Sequence, residues 1–342
     1  MTLKRSMTLT FCVSILLYVS NLTHAEDFRI EMEDAQVVQA KGAGVPVYPW
    51  FPDGHITILK SGEALQMYWA GSSSYRTIGK SLESMKLDPK KPVLSKGNQM
   101  SFDNGGTWLM SVHRSTAQNL LGFYHAEDHE WEKKRNPNKV AWKSIAICES
   151  KNDGKSWTKG GQIITSPKEK PSTPAWGGSG DFCVVYDNLN SRWVCYYQEH
   201  FLYMAISNNL KASPGSWFKY HQEEFSEPGL GGKENPIESL KSHPGGNPSV
   251  HFNTYLKRWL MVWHTWEGNV VYSSSQNMTE WTSPKLLISK RATNEKAWYA
   301  TIIGITDAVA GQYAWLYYAY WPNKNNWKRQ FMKRAIRFIK TE

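Results

Sequence analysis

The sequence predicts an all-β protein, a five-bladed β-propeller of four-stranded antiparallel blades, from a repeated strand and an aromatic-rich composition. The repeat consists of five seven-residue segments that align without gaps, each an aromatic and β-branched stretch behind a turn. These segments are Leu65–Gly71, Leu121–Glu127, Trp193–Glu199, Trp259–Thr265 and Trp315–Trp321. The 342-residue chain also holds 17 Trp and 17 Tyr, which favour strands, and it has few helical signals.

Further strands surround each copy of the repeat. Another strand lies before most copies, as in His55–Leu59 and Phe182–Tyr186, and a third follows, as in Ile145–Trp157 and Val270–Trp281. A β-sandwich also has short strands at regular spacing, but it does not repeat a four-stranded unit, so the pattern favours a propeller. The alternating segment Phe28–Val38 is expected to add a strand to the last blade and close the ring.

The N-terminal segment has the features of a secretory signal peptide. Two basic residues precede the apolar stretch Met7–Ser20, and Thr23–Ala25 is typical of a small-residue cleavage site. A membrane anchor is the alternative, but the stretch is shorter than the roughly 20 residues that a spanning helix needs. We therefore expect removal of residues 1–25 and a single propeller domain over residues 26–342, secreted as a monomer to an extracellular or periplasmic location.

Composition and charge exclude several classes of protein. The aromatic content excludes a disordered chain, and the heptads of a coiled coil are absent. The net charge is +10, but the basic residues are scattered and match no nucleic-acid-binding motif, so we expect no nucleic-acid partner. Cys183 and Cys195 would face each other across a hairpin, either as a disulfide or as two thiols, and the cysteine spacing gives no zinc signal.

A propeller brings polar residues from several blades to one mouth of its central channel. The start of the first strand and the end of the second strand of each blade open on this face. The starts offer Asp53, Asp103, Asp181 and Asn247. The ends offer Trp69, His125, Glu127, Asp128, Glu199, His200, His264, Trp266, Tyr320 and Trp321. Carboxylates in pairs are what glycosidic hydrolysis requires, and aromatic faces stack on sugars.

Two parts of the chain resemble known propeller families. Ser150–Trp157 (SKNDGKSW) resembles the Asp-box turn of sialidases, which is a structural motif. Residues 45–338 resemble glycoside hydrolase family 43 and its arabinanase, xylosidase and invertase relatives, in their blade rhythm and in the acidic residues at the blade starts. This resemblance implies a secreted glycoside hydrolase that cleaves an extracellular or cell-wall polysaccharide or oligosaccharide by inverting acid–base chemistry.

The resemblance also implies roles for three carboxylates. In these families an Asp at the start of the first blade is the general base, a second Asp tunes the acid, and a later Glu is the general acid. Asp53 matches the position of the base, with a simple turn as the alternative, and Asp181 is the equivalent position two blades on. Glu127 and Glu199 share one register, and Glu199 is the preferred acid because Asp181 heads its blade. Asp103 is assigned to a plain turn before glycines.

The remaining residues of the mouth are assigned to substrate binding or to packing. The expected sugar platforms are Trp69, Trp266 and Trp321, and the expected hydroxyl-binding side chains are His125, Glu127, Asn247 and His264. Packing between blades is expected for Tyr68, Tyr124 and Tyr196. A channel cation such as calcium is conceivable at His125, His200 and His264, but single histidines more often pack, so no metal and no cofactor are expected.

Two alternative functions remain open. The chain has no sharp copy of the family's acid motif, and with the aromatic excess this keeps open a non-catalytic, lectin-like carbohydrate-binding propeller. A sialidase is the less favoured alternative. Phe28–Glu31 (FRIE) is similar to that family's N-terminal motif but lacks its proline, and sialidases need an arginine triad and six blades.

Overall fold

Five antiparallel sheets of four or five strands form the blades of a propeller in the computed structural model, which confirms the predicted fold class. The structure describes residues 27–40, 53–131, 134–135, 140–290, 296–321 and 329–341. The predicted signal peptide lies outside these ranges. No helix among the described residues is long and apolar enough to cross a membrane.

The strands follow one another in chain order from blade to blade, after β1 (Phe28–Met32) and β2 (Gln36–Ala40). Blade I holds β3 (Thr57–Ser61), β4 (Ala64–Gly71), β5 (Ser73–Gly79) and β6 (Lys86–Leu87). Blade II holds β7 (Gly106–Arg114), β8 (Leu120–Asp128), a small hairpin of β9 (Glu130–Trp131) and β10 (Lys134–Arg135), then β11 (Trp142–Ser150), β12 (Thr158–Ile164) and β13 (Gly177–Gly178).

The last three blades repeat this order. Blade III holds β14 (Gly180–Asp187), β15 (Arg192–Gln198), β16 (Leu202–Ser207), β17 (Phe218–His221) and β18 (Glu224–Pro228). Blade IV holds β19 (Gly245–Asn253), β20 (Arg258–Thr265), β21 (Val270–Ser275) and β22 (Lys285–Ile288). Blade V holds β23 (Lys296–Ile303), β25 (Tyr313–Trp321) and β26 (Gln330–Lys340), whereas β24 (Val309–Ala310) pairs in parallel with β19 of blade IV. Short 3-10 helices span Leu82–Ser84 and Glu238–Leu240.

The hydrophobic core is divided into five clusters, one in each interface between neighbouring blades. Successive side chains of a strand point to opposite faces, and each face of a blade meets another blade. Tyr68 and Tyr124 are fully buried between blades I and II, and Tyr196 is fully buried between blades III and IV. Their predicted packing between blades is confirmed, and these interfaces hold the first strands around the channel.

The N-terminal strand closes the ring, as expected from its alternation. β1 pairs with β26 in antiparallel register, from Phe28 opposite Lys340 to Met32 opposite Ile336. The Thr341 N–H also donates to the Asp27 carbonyl oxygen at 2.8 Å. Blade V is therefore completed by strands from both ends of the described chain.

The Asp-box turn joins blades I and II. The left-handed Asp153 (φ +56°) accepts a hydrogen bond from Gln66 of β4 at 2.5 Å. It also forms a salt bridge with Arg114 of β7 at 2.8 Å, and the Trp157 ring packs edge-on against Tyr68. The motif therefore has the structural role predicted for it.

The three described cysteines are all buried free thiols. Cys183 lies opposite Tyr196 in the β14–β15 ladder, whereas Cys195 lies opposite Val184. A shift of one residue turns a side chain to the other face of a sheet. Cys183 accordingly packs between blades III and IV and Cys195 between blades II and III, so the sheet itself separates the two thiols.

Candidate active site

A cleft of about 630 Å³ opens at the mouth of the channel. All three predicted catalytic residues, Asp53, Asp181 and Glu199, line it. Four further residues assigned to the mouth also line it, namely His125, Glu127, His200 and Trp266. The residues that the sequence predicted for the mouth come from four different blades, and the fold places these seven around one cleft.

Three blades start their first strand in the same strained way. Asp181, Asn247 and Tyr299 have left-handed backbones, with φ of +47°, +54° and +58°. Each lies at a break in register between the first two strands of blades III, IV and V. A β-bulge re-aims side chains locally, and such strain concentrates at functional sites. Sequence reasoning missed Tyr299, although its position after Trp298 matches that of Asp181 and Asn247 in their blades.

The Asp53 carboxylate has a fixed cationic partner. Arg329 Nη1 lies 2.7 Å from its Oδ1, and the two side chains are 12% and 25% exposed. The Tyr299 hydroxyl donates to Oδ1 and the Trp108 indole N–H to Oδ2, both at 3.4 Å. Burial, followed by the negative charge of Asp53, raises the pKa of Tyr299, so this hydroxyl stays protonated as a donor.

Asp181 is held ionised by a lysine from the neighbouring blade. Lys143 Nζ lies 3.2 Å from Asp181 Oδ2 and 2.7 Å from Gln198 Oε1. Burial alone would raise the pKa of Asp181, but the charge of Lys143, with smaller effects of His125 and His264, lowers it to about 2. The carboxylate is therefore a fixed negative charge in the cleft at neutral pH.

Glu127 is clamped between two histidines. The Asp181 N–H donates to His125 Nδ1 at 2.9 Å, so the proton of a neutral His125 ring belongs on Nε2, which lies 3.3 Å from Glu127 Oε1. His129 Nε2 lies 2.8 Å from Glu127 Oε2. Burial opposes the charge of Glu127, but these hydrogen bonds outweigh it and lower its pKa to about 2. Glu127 is therefore suited to accepting hydrogen bonds and not to donating a proton.

Glu199 has a different environment from the other carboxylates of the cleft. Its side chain is 8% exposed and lies within 3.3 Å of Lys168, whose side chain is 73% exposed. The Ser166 hydroxyl is 3.1 Å away and the Ser179 hydroxyl 3.5 Å away. An ion pair with so exposed a lysine is weak and screened by solvent. Glu199 therefore has mainly neutral hydroxyl partners at a nearly buried position.

Four of the predicted binding residues do not line the cleft, namely Trp69, Trp321, Asn247 and His264. Trp69 is 5% exposed and packs in the interface between blades V and I, so the assignment of this ring as a sugar platform is corrected. Trp321, 7% exposed, packs edge-on behind Trp298 and supports the cleft from within. Asn247 is buried, and its Oδ1 accepts the His55 N–H at 3.2 Å.

His264 also supports the cleft from behind. Its ring stacks on Trp298 with the centroids 4.7 Å apart, and the Tyr299 N–H lies 3.4 Å from its Nδ1. Burial lowers the pKa of His264 to about 3, which keeps the ring neutral. It thus orders two side chains that line the cleft and does not itself reach the space.

Asp103 lies outside the cleft, in keeping with its assignment to a turn. It is 1% exposed, forms an ion pair with Lys159, and accepts the Tyr124 hydroxyl at 3.3 Å. Within the described ranges, no three His, Cys, Asp or Glu side chains are grouped so that they could hold a metal ion. His125 and His264 instead have their Nδ1 atoms at backbone N–H groups of the blade starts.

Several cleft residues were missed by the sequence reasoning. They are Trp108, Lys143, Trp176, Trp298, Tyr299 and, through Asp53, Arg329. Trp176 is 62% exposed and Trp266 is 43% exposed, so these two indoles present open faces at the cleft. Lys143 and Arg329 lie within strands or loops that carry no motif, and only the tertiary structure brings them to the carboxylates.

Comparison with solved structures finds the same fold in glycoside hydrolases. An exo-1,5-α-L-arabinanase from a bovine ruminal metagenomic library matches with a TM-score of 0.56 and 9% identity, over 84% of this chain and 95% of that chain. A family 117 glycoside hydrolase from the marine bacterium Zobellia galactanivorans matches with a TM-score of 0.54 and 9% identity, over 92% of each chain.

A third match is an exo-β-1,3-galactanase from Phanerochaete chrysosporium in complex with β-1,3-galactotriose. Its TM-score is 0.54 and its identity 11%, over 88% of this chain and 64% of that chain. No protein-family model and no curated protein matches the sequence. At such low identity the matches establish a shared five-bladed fold, which confirms the resemblance to glycosidase propellers at the level of the fold.

Proposed function

We propose that the cleft is the active site of a glycoside hydrolase that cleaves an extracellular or cell-wall polysaccharide or oligosaccharide. The observation that carries this proposal is the convergence of Asp53, Asp181, Glu127 and Glu199 on one cleft beside open indoles. The glycoside hydrolases that share the fold give independent support. The N-terminal segment supports secretion of the enzyme, as the sequence predicts.

Asp53 is the proposed general base. A base must be ionised in the resting enzyme, and the ion pair with Arg329 at 2.7 Å compensates this charge. In an inverting mechanism, Asp53 takes a proton from a water molecule, whose oxygen then attacks the anomeric carbon. The Tyr299 hydroxyl and the Trp108 N–H orient the carboxylate for this step.

Glu199 is the proposed general acid. An acid must supply a proton to the leaving oxygen as the glycosidic bond breaks. Glu127 and Asp181 are unsuited to this role because their pKa values are lowered to about 2, and Asp53 is paired with Arg329. Glu199 is nearly buried and its ionic partner among the described residues, Lys168, is highly exposed, which favours Glu199 over the other three carboxylates.

The test is hydrolysis of a panel of plant, algal and microbial glycans by the wild type and by Asp53→Asn and Glu199→Gln. Each substitution is expected to lower kcat/KM by about 10²–10⁴. Asp34→Asn and Glu224→Gln, at exposed positions on outer segments of blades V and III, are the matched controls and should retain activity. NMR of the first product is expected to show an inverted anomer, and equal activity of all variants would contradict the assignment.

A non-catalytic carbohydrate-binding propeller is the second candidate function. It is favoured by the two carboxylates, Glu127 and Asp181, that are held ionised and so can only accept hydrogen bonds from sugar hydroxyls. Binding on a glycan array without any product after prolonged incubation would support this function. Release of reducing sugar that is lost in Asp53→Asn would exclude it.

A further inference from the structure

Two lysines lie side by side at the rim of the cleft, where blades IV and V meet. A Cβ atom at Gly268 would lie 2.9 Å from Lys296 Cγ and 3.4 Å from Lys290 Cδ. The aliphatic parts of both lysine side chains therefore pack close to this glycine. The Lys290 N–H donates to Asn269 Oδ1 at 3.0 Å, and the Ala297 N–H donates to the Gly268 carbonyl at 3.3 Å. The turn between β20 and β21 therefore fixes the backbone from which both lysines extend.

The Lys296 ammonium is held over aromatic rings that belong to the cleft. Its Nζ lies 4.3 Å from the centroid of Trp298 and 5.8 Å from that of Trp321. His264 stacks in parallel on Trp298, with an interplanar angle of 11°, which leaves the opposite face of the indole to the ammonium. Because Trp298 lines the cleft, this cation is positioned at its edge.

These two lysines differ from the cations that pair with the carboxylates of the cleft. Lys143, Lys168 and Arg329 are paired with Asp181, Glu199 and Asp53, respectively. In the part of the chain that the structure describes, neither Lys290 nor Lys296 lies within salt-bridge distance of a carboxylate. Burial, and then the positive charges of Lys290 and Arg329, lower the pKa of Lys296. Among the described residues, these two lysines thus give the rim a positive charge that no carboxylate pairs with.

We infer that this rim is a subsite for an anionic group of a glycan, a uronic acid carboxylate or a sulfate ester, bound by Lys290 and Lys296. The inference rests on the proposed function and names its substrate class as an acidic polysaccharide. Trp266, which is 43% exposed and lines the same side of the cleft, offers the adjoining sugar an open indole face. Charge-assisted hydrogen bonds are about twice as strong as neutral ones, so the anion would determine selectivity.

The experiment is calorimetric titration of the full chain with matched pairs of glycans. One pair is an oligogalacturonate and its methyl ester, and the other is a sulfated galactan oligosaccharide and its desulfated form. We expect at least one acidic form to bind about tenfold more tightly than its neutral counterpart, with the ratio falling as salt rises. The pair that shows the preference identifies the anion as a carboxylate or a sulfate.

Variants separate the charge from the packing. Lys296→Gln is expected to reduce the ratio of the affinities for the acidic and neutral forms to about twofold. Lys211→Gln is the matched control, because Lys211 is exposed and follows the end of β16 that points away from the cleft. It removes the same charge and should keep the full preference.

Each outcome decides between the two proposals. Equal affinity for acidic and neutral forms, or an equal loss of both in Lys296→Gln, would overturn the anionic subsite. Preferential binding of an acidic glycan without any cleavage would retain the subsite and contradict the hydrolase. Cleavage of neutral glycans alone would retain the hydrolase and contradict the anionic subsite. If no glycan binds, both the hydrolase and the subsite are contradicted.

Discussion

Asp181 holds a negative charge at a position where burial opposes it. Its side chain is 26% exposed and extends from a left-handed backbone, and it is mainly Lys143, at 3.2 Å, that brings its pKa down to about 2. Lys143 is itself 9% exposed in its side chain and has Gln198 as its second partner. Removing one member of such a pair leaves the other charge without compensation, whereas removing both costs much less.

A double-mutant cycle tests this dependence. Lys143→Met is expected to lower the free energy of unfolding at pH 7 by about 3 kcal/mol, and addition of Asp181→Asn should recover most of the loss. The measurement is made at pH 7 because the pKa of Asp181 is lowered in the folded protein. The ionised carboxylate therefore stabilises the fold above its ordinary pKa of 3.8, and this stabilisation is lost as the pH falls towards 2. Urea denaturation measures the four proteins, and simple additivity of the two costs would contradict the coupling.

At the scale of residues, the sequence predicted which residues lie at the strand ends beside the cleft, but it did not predict whether an aromatic side chain there faces the cleft or a neighbouring blade. The repeat correctly placed Glu127 and Glu199 at strand ends beside the cleft. It placed Trp69 there too, but Leu82 of the following 3-10 helix and Phe331 of blade V cover this ring. The sequence determines which end of a strand a residue occupies, whereas its burial depends on a distant blade.

At the scale of elements, β1 contributes more to the fold than its five residues suggest. Phe28 is 2% exposed and packs in the interface between blades IV and V, 6.0 Å from the Tyr272 ring and 5.4 Å from the Arg258 guanidinium. The next side chain, Arg29, points outward and is 58% exposed. One strand thus offers a buried position and an exposed one next to each other.

These neighbours form a matched pair for mutation. Phe28→Ala is expected to lower the free energy of unfolding by about 3–4 kcal/mol, because it leaves a cavity between two blades. Arg29→Ala removes a surface ion pair and should stay within about 0.5 kcal/mol of the wild type. Denaturant titration of both variants is the measurement, and similar costs would mean that β1 does not anchor blade V through its buried face.

The whole molecule contains several histidines that burial keeps neutral. The pKa of His55 is lowered to about 4, and the pKa values of His251 and His264 are lowered to about 3, in each case mainly by burial. The pKa of Asp307 shifts in the opposite direction, because burial raises it to about 6. Burial also lowers the pKa of His113 to about 4, so near pH 5 the unfolded chain binds about four more protons on the histidines and one fewer on Asp307.

Acid is accordingly expected to destabilise the propeller steeply. The stabilising effect of each neutral histidine is complete above pH 6.5 and is lost as the unfolded chain takes up protons below it. A net difference of about three protons gives a loss of about 4 kcal/mol per pH unit around pH 5. Urea titrations at pH 7, 6 and 5 measure the slope, and His251→Phe should reduce it by about 1.4 kcal/mol per pH unit. A flat profile would contradict the protonation states assigned here.

The sequence allowed the five-bladed fold to be predicted because a propeller is a local repeat. The strands and turns of each blade can be recognised in its own stretch of sequence. The alternation of apolar and polar residues from Phe28 onward also predicted the strand that β1 adds to the last blade. The electrostatics of the site did not follow. Lys143 and Arg329 form ion pairs with carboxylates of other blades. The local sequence pattern does not indicate which cation pairs with which carboxylate across the channel.

The way in which the ring closes also determines how it responds to mechanical force. Phe28 at the start of β1 lies opposite Lys340 at the end of β26, so both ends of the described chain leave the same edge of one ladder. Tension between these ends loads the antiparallel hydrogen bonds one after another, as in a zipper, and does not load them together in shear. The seam in blade V is therefore the point at which a pulled propeller opens first, while the other four blades remain joined through their interfaces.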